Sequence, residues 1–346
     1  MLHRVGSLYV GVGHCNPIQT YELPRLNMLK SGMFQEVPRP KFSLVVATIG
    51  RTTQLVRLFE TFRQQTCQSF EVILVDQNSQ EYLDEVIAPF YTFFPLRHVR
   101  SKSGLSRARN AALDHIRGQI VAFPDDDCWY QEDFLERVAD TFATHPNWDG
   151  LSGIYADTEG PNGFSTFPKS GRSLSLINLW RRSSSVTIFL RRVVVERVGR
   201  FDEDLGRGTG TGMTAAEDAE YLIRALLLGF SISYSHNLCV FHRAWRAGDE
   251  LQMSRVFGDS KAFGYVLRRH KFPLWFVLYK ATRTMCGVAL FWVRGNRTKA
   301  QYYWLAFQGM LFGWLLIQQP HMATRHESHV EHRGSDRLLF SPEKDI

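Results

Sequence analysis

QIVAFPDDDCW, residues 119–129, sets three adjacent aspartates directly behind a continuous apolar run. An apolar run of this length is expected of a strand buried on both faces of a sheet. The carboxylates at its end repel one another, so an ordered chain needs a positive partner for them. A divalent cation is one such partner. Hard cations such as Mg2+ or Mn2+ take carboxylate oxygens and commonly complete their shell with substrate phosphates. In an Asp-x-Asp of this kind Asp125 can accept from a sugar hydroxyl while Asp127 turns onto the metal. The alternative is a solvated acidic loop, or a cap on the following helix DFLERV.

Upstream, the same kind of pattern repeats. SLVVATI (43–49) and FEVILVD (70–76) read as buried strands, and LRHVR (96–100) as a short one. Between them Leu55, Leu58, Phe59 and Phe62 recur at helical spacing, a helical stretch starts near Glu81, and LSRARNAALDHIRG (105–118) follows as a helix. Strand–helix alternation at this pitch implies right-handed crossovers and an α/β fold with a mostly parallel, Rossmann-like sheet. Downstream, residues 150–171 are rich in Gly, Pro and Ser and read as loops. VTIFLRR (186–192) reads as a strand, AEDAEYLIRALLLG (216–229) as a helix behind the Gly-rich GRGTGTG (206–212), and ISYSHNLCVFHR (232–243) as the closing strand.

In an open parallel sheet, ligands bind at the carboxyl ends of the strands. Those ends carry Thr48 and Arg51, then Asp76, then Asp125, Asp126 and Asp127. Glu217 and Asp218 open a helix behind the glycine-rich loop, where an acid either complements the helix dipole or serves as a base. His242 follows the last strand, where a neutral imidazole can complete a metal shell, touch a diphosphate or simply pack. The loop at 206–212 is not a P-loop, because no Lys-Ser/Thr follows it, and GVG at 11–13 lacks the third glycine of a dinucleotide fingerprint.

ATIGR, LVDQNS, GLSRARNAAL, VAFPDDDCW and FDEDLGRG…AEDAEYLIRALLLGF resemble, in order and spacing, the family-2 glycosyltransferases of GT-A fold. The resemblance runs from about Lys41 to Arg243. It implies an inverting transfer of a sugar from a nucleotide-diphospho-sugar to a hydroxyl acceptor, a lipid-linked or polysaccharide glycan. By the family's pattern Thr48, Arg51 and Asp76 hold the nucleoside, with the Asp76 carboxylate accepting from the base. Arg109 lies near the nucleotide or diphosphate, Asp125 faces the ribose with Asp126 beside it on the donor, and Asp127 ligates Mn2+ or Mg2+. Asp218 of the Glu217-Asp218 pair is the base. The first strand ends Ala47-Thr48-Ile49 where the family usually has Pro-Thr-Tyr, and the second ends Asp76-Gln77-Asn78-Ser79 in place of Asp-Asp-Gly-Ser; the nucleotide base stays unassigned. Chain-building members resemble one another in a Gln-x-x-Arg-Trp stretch, absent from Phe241-His-Arg-Ala-Trp-Arg246, so single-sugar transfer is expected.

Composition agrees with a globular enzyme: 346 residues, 44% hydrophobic and 22% charged, net charge +7 and pI near 9.2. The basic excess suits phosphate-bearing substrates, anionic lipid or nucleic acid. Its arginine-rich runs carry few interleaved stacking aromatics, which argues against a nucleic-acid groove. Five cysteines without a C-x-x-C pair fit neither a disulfide framework nor a structural zinc site. With no signal-peptide pattern at the start, a cytoplasmic location is expected.

Four regions follow: an N-terminal extension (1–40), a transferase domain (41–266), a helical hairpin (267–320) and a polar tail (321–346) expected to be disordered. In the hairpin Pro273–Val293 could span a bilayer by length, yet Lys280 and Arg283 near its middle would each cost about 2.5–3.5 kcal/mol there. Lys280, Arg283, Thr284, Gly287 and Arg294 share a helical face, with Trp275, Phe276, Leu278, Met285 and Phe291 among the remainder. The hairpin is therefore either an interfacial amphipathic element on the inner leaflet or a cap over the sheet. Two rival functions remain: a non-catalytic sugar-nucleotide or glycan-binding subunit of a synthase complex, and a nucleotidyltransferase, whose Gly-rich basic loop the first strand lacks.

Overall fold

The computed structural model describes residues 39–79, 83–156, 172–242 and 250–315. The extension before residue 39 and the tail from residue 316 lie outside the described residues. In chain order the elements are β1 (Phe42–Thr48), α1 (Thr53–Arg63), β2 (Phe70–Asp76), α2 (Leu83–Ile87), β3 (Leu96–Arg100), α3 (Leu105–Leu113), β4 (Ile120–Ala122), β5 (Cys128–Trp129) and α4 (Phe134–Thr144). There follow β6 (Gly150–Ala156), β7 (Arg172–Ser173), α5 (Leu179–Arg182), β8 (Phe189–Arg191), α6 (Arg192–Val198), α7 (Glu217–Leu227), β9 (Ile232–His242), α8 (Glu250–Arg269), α9 (Leu274–Val293) and α10 (Arg297–Leu315).

One sheet runs in the order β3-β2-β1-β4-β8-β6-β9-β5, with β7 also on β9. β1 pairs in parallel with β2 and β4, and β2 with β3, as the strand–helix alternation requires. Alternation along β1 and β2 splits their side chains between two cores. Phe42, Leu44, Val46, Phe70, Val72 and Leu74 meet Leu55, Leu58, Phe59 and Phe62 of α1 on one face. Val45, Ile73 and Val75 join α3, α6 and α7 on the other. Each fully buried large apolar side chain contributes about 1.5–3 kcal/mol, so both faces must be covered for the sheet to persist.

The second half departs from the sequence reading. Gly150–Ala156, expected to be loop, is β6, and 157–171 lies outside the described residues. Its Gly and Ser content hides a strand because Gly153 packs too tightly against the Leu238 backbone for a side chain. Only Phe189–Arg191 of the expected strand 186–192 is extended, antiparallel to β4 and β6. A 3-10 turn over Ser185–Thr187 precedes it, and α6 begins at once with Arg192.

Helix α8 runs through residues 266–267, the expected edge of the hairpin, and α10 lies along it. The contact is made at glycines: a β-carbon on Gly264 would strike the Met310 carbonyl, and one on Gly313 the Lys261 carbonyl. Among the described residues no helix is long and apolar enough to cross a membrane. Gly313→Ala should therefore destabilise the protein by about 1–3 kcal/mol, the usual cost of overpacking. Thermal denaturation reads this directly, and an unchanged Tm would mean that α10 is not seated on α8.

Candidate active site

The strand ends are brought level by the register: Thr48 of β1 stands opposite Asp76 of β2, and Ala47 bridges to Asp125. From this edge the three aspartates diverge. Asp125 faces the Arg109 guanidinium at 3.5 Å. Asp126 accepts from Thr48 Oγ1 at 2.7 Å and from Arg51 Nη1 at 2.6 Å. Asp127 faces the same Arg51 at 2.7 Å and His242 Nε2 at 3.1 Å. The histidine arrives because β5 pairs antiparallel with β9, Cys128 opposite His242, and the pairing is reinforced by Trp129 stacked on Phe241. One ligand atom from each of Asp125, Asp127 and His242 lies within 4.8 Å of the others. Two carboxylate oxygens and an imidazole nitrogen suit a divalent ion such as Mn2+ or Mg2+, with positions left for substrate oxygens.

These groups line a cleft of about 510 Å³ together with Arg51, Asp126, Glu217 and Asp218. Its far wall is α7, and the entry to α7 is strained: Ala216, with φ 70°, is left-handed without being glycine. That conformation costs about 1–2 kcal/mol and turns Glu217 and Asp218 towards the aspartates. The preceding loop approaches equally closely. Gly208, at φ 76°, has no room for a β-carbon beside Ser103 Oγ and forms part of the cleft wall.

Burial and neighbours set the charges. Burial pushes the Asp126 carboxyl up to about 6 against the pull of Arg51 and Thr48. Asp125 is likewise raised by burial, with Arg109 and His242 opposing. Burial also works against an ionised Asp127, but hydrogen bonding and attraction from His242, with Arg51, outweigh it and hold that carboxyl below its ordinary value. Burial pushes Glu217 up to about 7, opposed by Arg109, whose Nη1 lies 3.1 Å from Glu217 Oε1. Asp218 stands further out, one oxygen accepting from the Ala219 amide and its carboxylate on the cleft.

Three residues expected to touch a donor stand behind the cleft wall. Thr48 is buried and directs its hydroxyl to Asp126. Asp76 is 0% exposed: one oxygen accepts from the Asn78 amide and side chain, the other faces His98 Nε2 at 3.1 Å. It is thus committed within the protein, and its neighbour Gln77 lines the cleft instead. Arg109, 2% exposed, lies beneath the floor between Glu217 and Asp125. Sequence reasoning missed Gln77, Tyr155, Arg207, Arg255 and Asp259, all on the cleft. Arg207 sits in a loop read only for its glycines. Arg255 and Asp259 are four apart on α8 and so share a helix face, a signal hidden by the distance of that helix from the other motifs.

A parallel-edged α/β sheet with an Asp, Asp, His cluster facing a helix-borne acid pair has the architecture of GT-A enzymes. Residues 43–194 match the model of Glycosyl transferase family 2. Glycosyltransferase AglE of Haloferax volcanii is 24% identical over 281 residues, covering 76% of this chain and 84% of its own. An uncharacterized glycosyltransferase of Haemophilus influenzae is 26% identical over 214 residues, 58% of this chain and 68% of its own. Among solved structures, the mannosyltransferase PcManGT of Pyrobaculum calidifontis, in complex with GDP-Man and Mn2+, has a TM-score of 0.54 at 16% identity, covering 80% of this chain and 88% of that one. S. aureus TarS with UDP-GlcNAc gives 0.51 at 17%, covering 78% and 90%; of a longer TarS chain (TM-score 0.53, 16% identity, 77% of this chain) only 55% is spanned. Residues 43–194 thus resemble the family-2 glycosyltransferases, and both the fold and the relatives are those of glycosyltransferase enzymes.

The buried ion-pair network can be tested by stability. Arg109→Gln leaves Glu217 and Asp125 without their counter-charge and should cost about 3–5 kcal/mol in urea unfolding, part of which Glu217→Gln restores in the double variant. Because the folded Glu217 value lies above its ordinary 4.5, its contribution to stability is fully present below about pH 4.5 and is lost as pH rises through about 7. Glu217→Gln alone should flatten that fall. Additive single and double variants would mean that the pair does not interact.

Proposed function

We propose that the protein is an inverting glycosyltransferase that moves one sugar from a nucleotide-diphospho-sugar to a hydroxyl of a lipid-linked or polysaccharide glycan at the cytoplasmic face of the membrane. The observation that carries this reading is the shared cleft of Asp125, Asp127, His242 and Asp218. The nucleotide-sugars held by PcManGT and TarS support a donor of this class, and the Mn2+ of the former supports a divalent ion.

In this reading Asp127 and His242, with Asp125, hold Mn2+ or Mg2+, which when bound neutralises charge on the donor diphosphate. Arg51, Arg207 and Arg255 line the same cleft and offer cations to the phosphates. Gln77, rather than Asp76, presents a side chain on the nucleoside side. Asp218 takes the proton of the acceptor hydroxyl as its oxygen bonds to the anomeric carbon from the face opposite the leaving group. The bond from that carbon to the diphosphate oxygen breaks, and the nucleoside diphosphate leaves with the electron pair, so configuration inverts. Glu217, buried on Arg109, fixes the start of α7 and thereby the position of Asp218.

Release of nucleoside diphosphate from a panel of sugar nucleotides tests this. Asp218→Asn should lower transfer by about 10²–10⁴-fold, the worth of a general base, while donor binding persists. Asp127→Ala and EDTA should each abolish metal-stimulated turnover. Turnover that survives both would remove the metal from the reading, and unchanged transfer by Asp218→Asn would remove the base.

Product length is a separate prediction. One acceptor under limiting enzyme should gain a single sugar by mass spectrometry; a ladder of long products would mean processive synthesis.

A further inference from the structure

Helix α9 is packed inside out for a water-soluble protein. Lys280, Thr284 and Gly287 turn inward, whereas Thr282 and Arg283 stay exposed. Lys280 is tucked over the Phe276 and Phe263 rings at 5.1 and 5.8 Å, and Gly287 lies against Tyr303, on which Phe291 also stacks. Burial, then Arg283 and Arg181, lower the Lys280 ammonium to about 8. Of the face shared by Lys280, Arg283, Thr284, Gly287 and Arg294, only Arg283 and Arg294 are exposed, and the other three are half-buried. Only Phe276 and Val277 of the helix are buried. Trp275, Leu278, Tyr279, Met285 and Leu290 face outward, and at the tip Trp292 and Val293 are 59% and 78% exposed. On α10, Trp304, Leu311 and Phe312 add to the exposed apolar surface. Contiguous apolar surface rimmed by charge marks an interaction site.

The charge around it selects the partner. From Ser260 to Leu315 there is no aspartate or glutamate, and there are nine lysines and arginines. Arg294 and Arg297 are exposed at the turn beside Trp292, with Arg297 over the indole at 5.4 Å and Lys299 over Phe291 at 5.2 Å. A second copy brought face to face through α9 would set these cations against their own kind with no acid in the segment to answer them. An anionic bilayer answers all of them, and tryptophan beside arginine is the pairing suited to a membrane–water interface.

We propose that the outward face of α9, with the Trp292–Lys299 turn, docks in the interfacial region of an anionic lipid bilayer without crossing it. The inference deepens the membrane reading above and rests on it only for the acceptor. The test is flotation of the full chain with phosphatidylglycerol–phosphatidylcholine vesicles and with phosphatidylcholine alone. The protein should float with the anionic vesicles at low salt and be released only in part at high salt. Joint Trp292→Glu and Val293→Glu should abolish flotation at both. Joint Arg294→Glu and Arg297→Glu should weaken low-salt binding at least about 25-fold, about fivefold for each cation removed. No flotation, or flotation indifferent to the glutamate pair at 292 and 293, overturns the proposal. So does a concentration-dependent dimer in sedimentation that the same pair disperses without lipid binding. Nucleoside diphosphate release, measured on the same preparations, separates the two readings: turnover without flotation removes the docking alone, and flotation without turnover removes the sugar transfer alone.

Discussion

The guanidinium of Arg109, sealed at 2% exposure between Glu217 and Asp125, is the contact on which the site depends. It ties the far wall of the cleft to its acidic edge. Burying a cation is tolerable only when charged partners satisfy it, so both acids are held to the guanidinium's geometry. Phe123 and Phe201 close around its flat face, 5.8 and 5.5 Å away, and keep water out. The strained Ala216 immediately before Glu217 persists because this ion pair over-determines the turn.

The repulsion among three consecutive aspartates is resolved by sending each to a different element. Asp125 turns to α3, Asp126 to the end of β1 and the arginine after it, and Asp127 to the last residue of β9. No single counter-ion answers all three. Arg51 serves two of them, which leaves Asp125, Asp127 and His242 able to converge on one point while Asp126 stays behind as a strut. β9 runs parallel to β6 and so ends at this same edge, and its antiparallel pairing with β5 sets Cys128 opposite His242 and fixes the third ligand beside the aspartates.

Much of this was written in the sequence where local chemistry and fold agree. The buried strands β1 and β2, the α1 periodicity and the acidic triplet all announce themselves, because a continuous apolar run must be buried and adjacent like charges must be answered. Arg109 and Asp76 show the limit. Their residue types suit a donor contact, but whether a side chain points into a cleft or beneath it depends on what lies across the sheet from it. For Arg109 that is Glu217, over a hundred residues away; for Asp76 it is His98 on the neighbouring strand. Gly150–Ala156 shows the converse, a strand whose small residues are demanded by a partner backbone rather than by local propensity.

The C-terminal helices obey the same rule with the sign reversed. Periodicity showed which residues of α9 share a face but could not say which face meets protein. The close seat of α10 on α8, enforced at Gly264, Gly309 and Gly313, decides it by bringing the Tyr303 ring to Gly287 of α9. Lys280 then has nowhere to go but over two aromatic rings, where burial weakens its charge and the ring faces offset part of the cost. A helix that turns its lysine inward while presenting tryptophan and valine outward leaves an apolar surface facing water. The glycines that seat α10 on α8 therefore also fix which side of α9 stays uncovered.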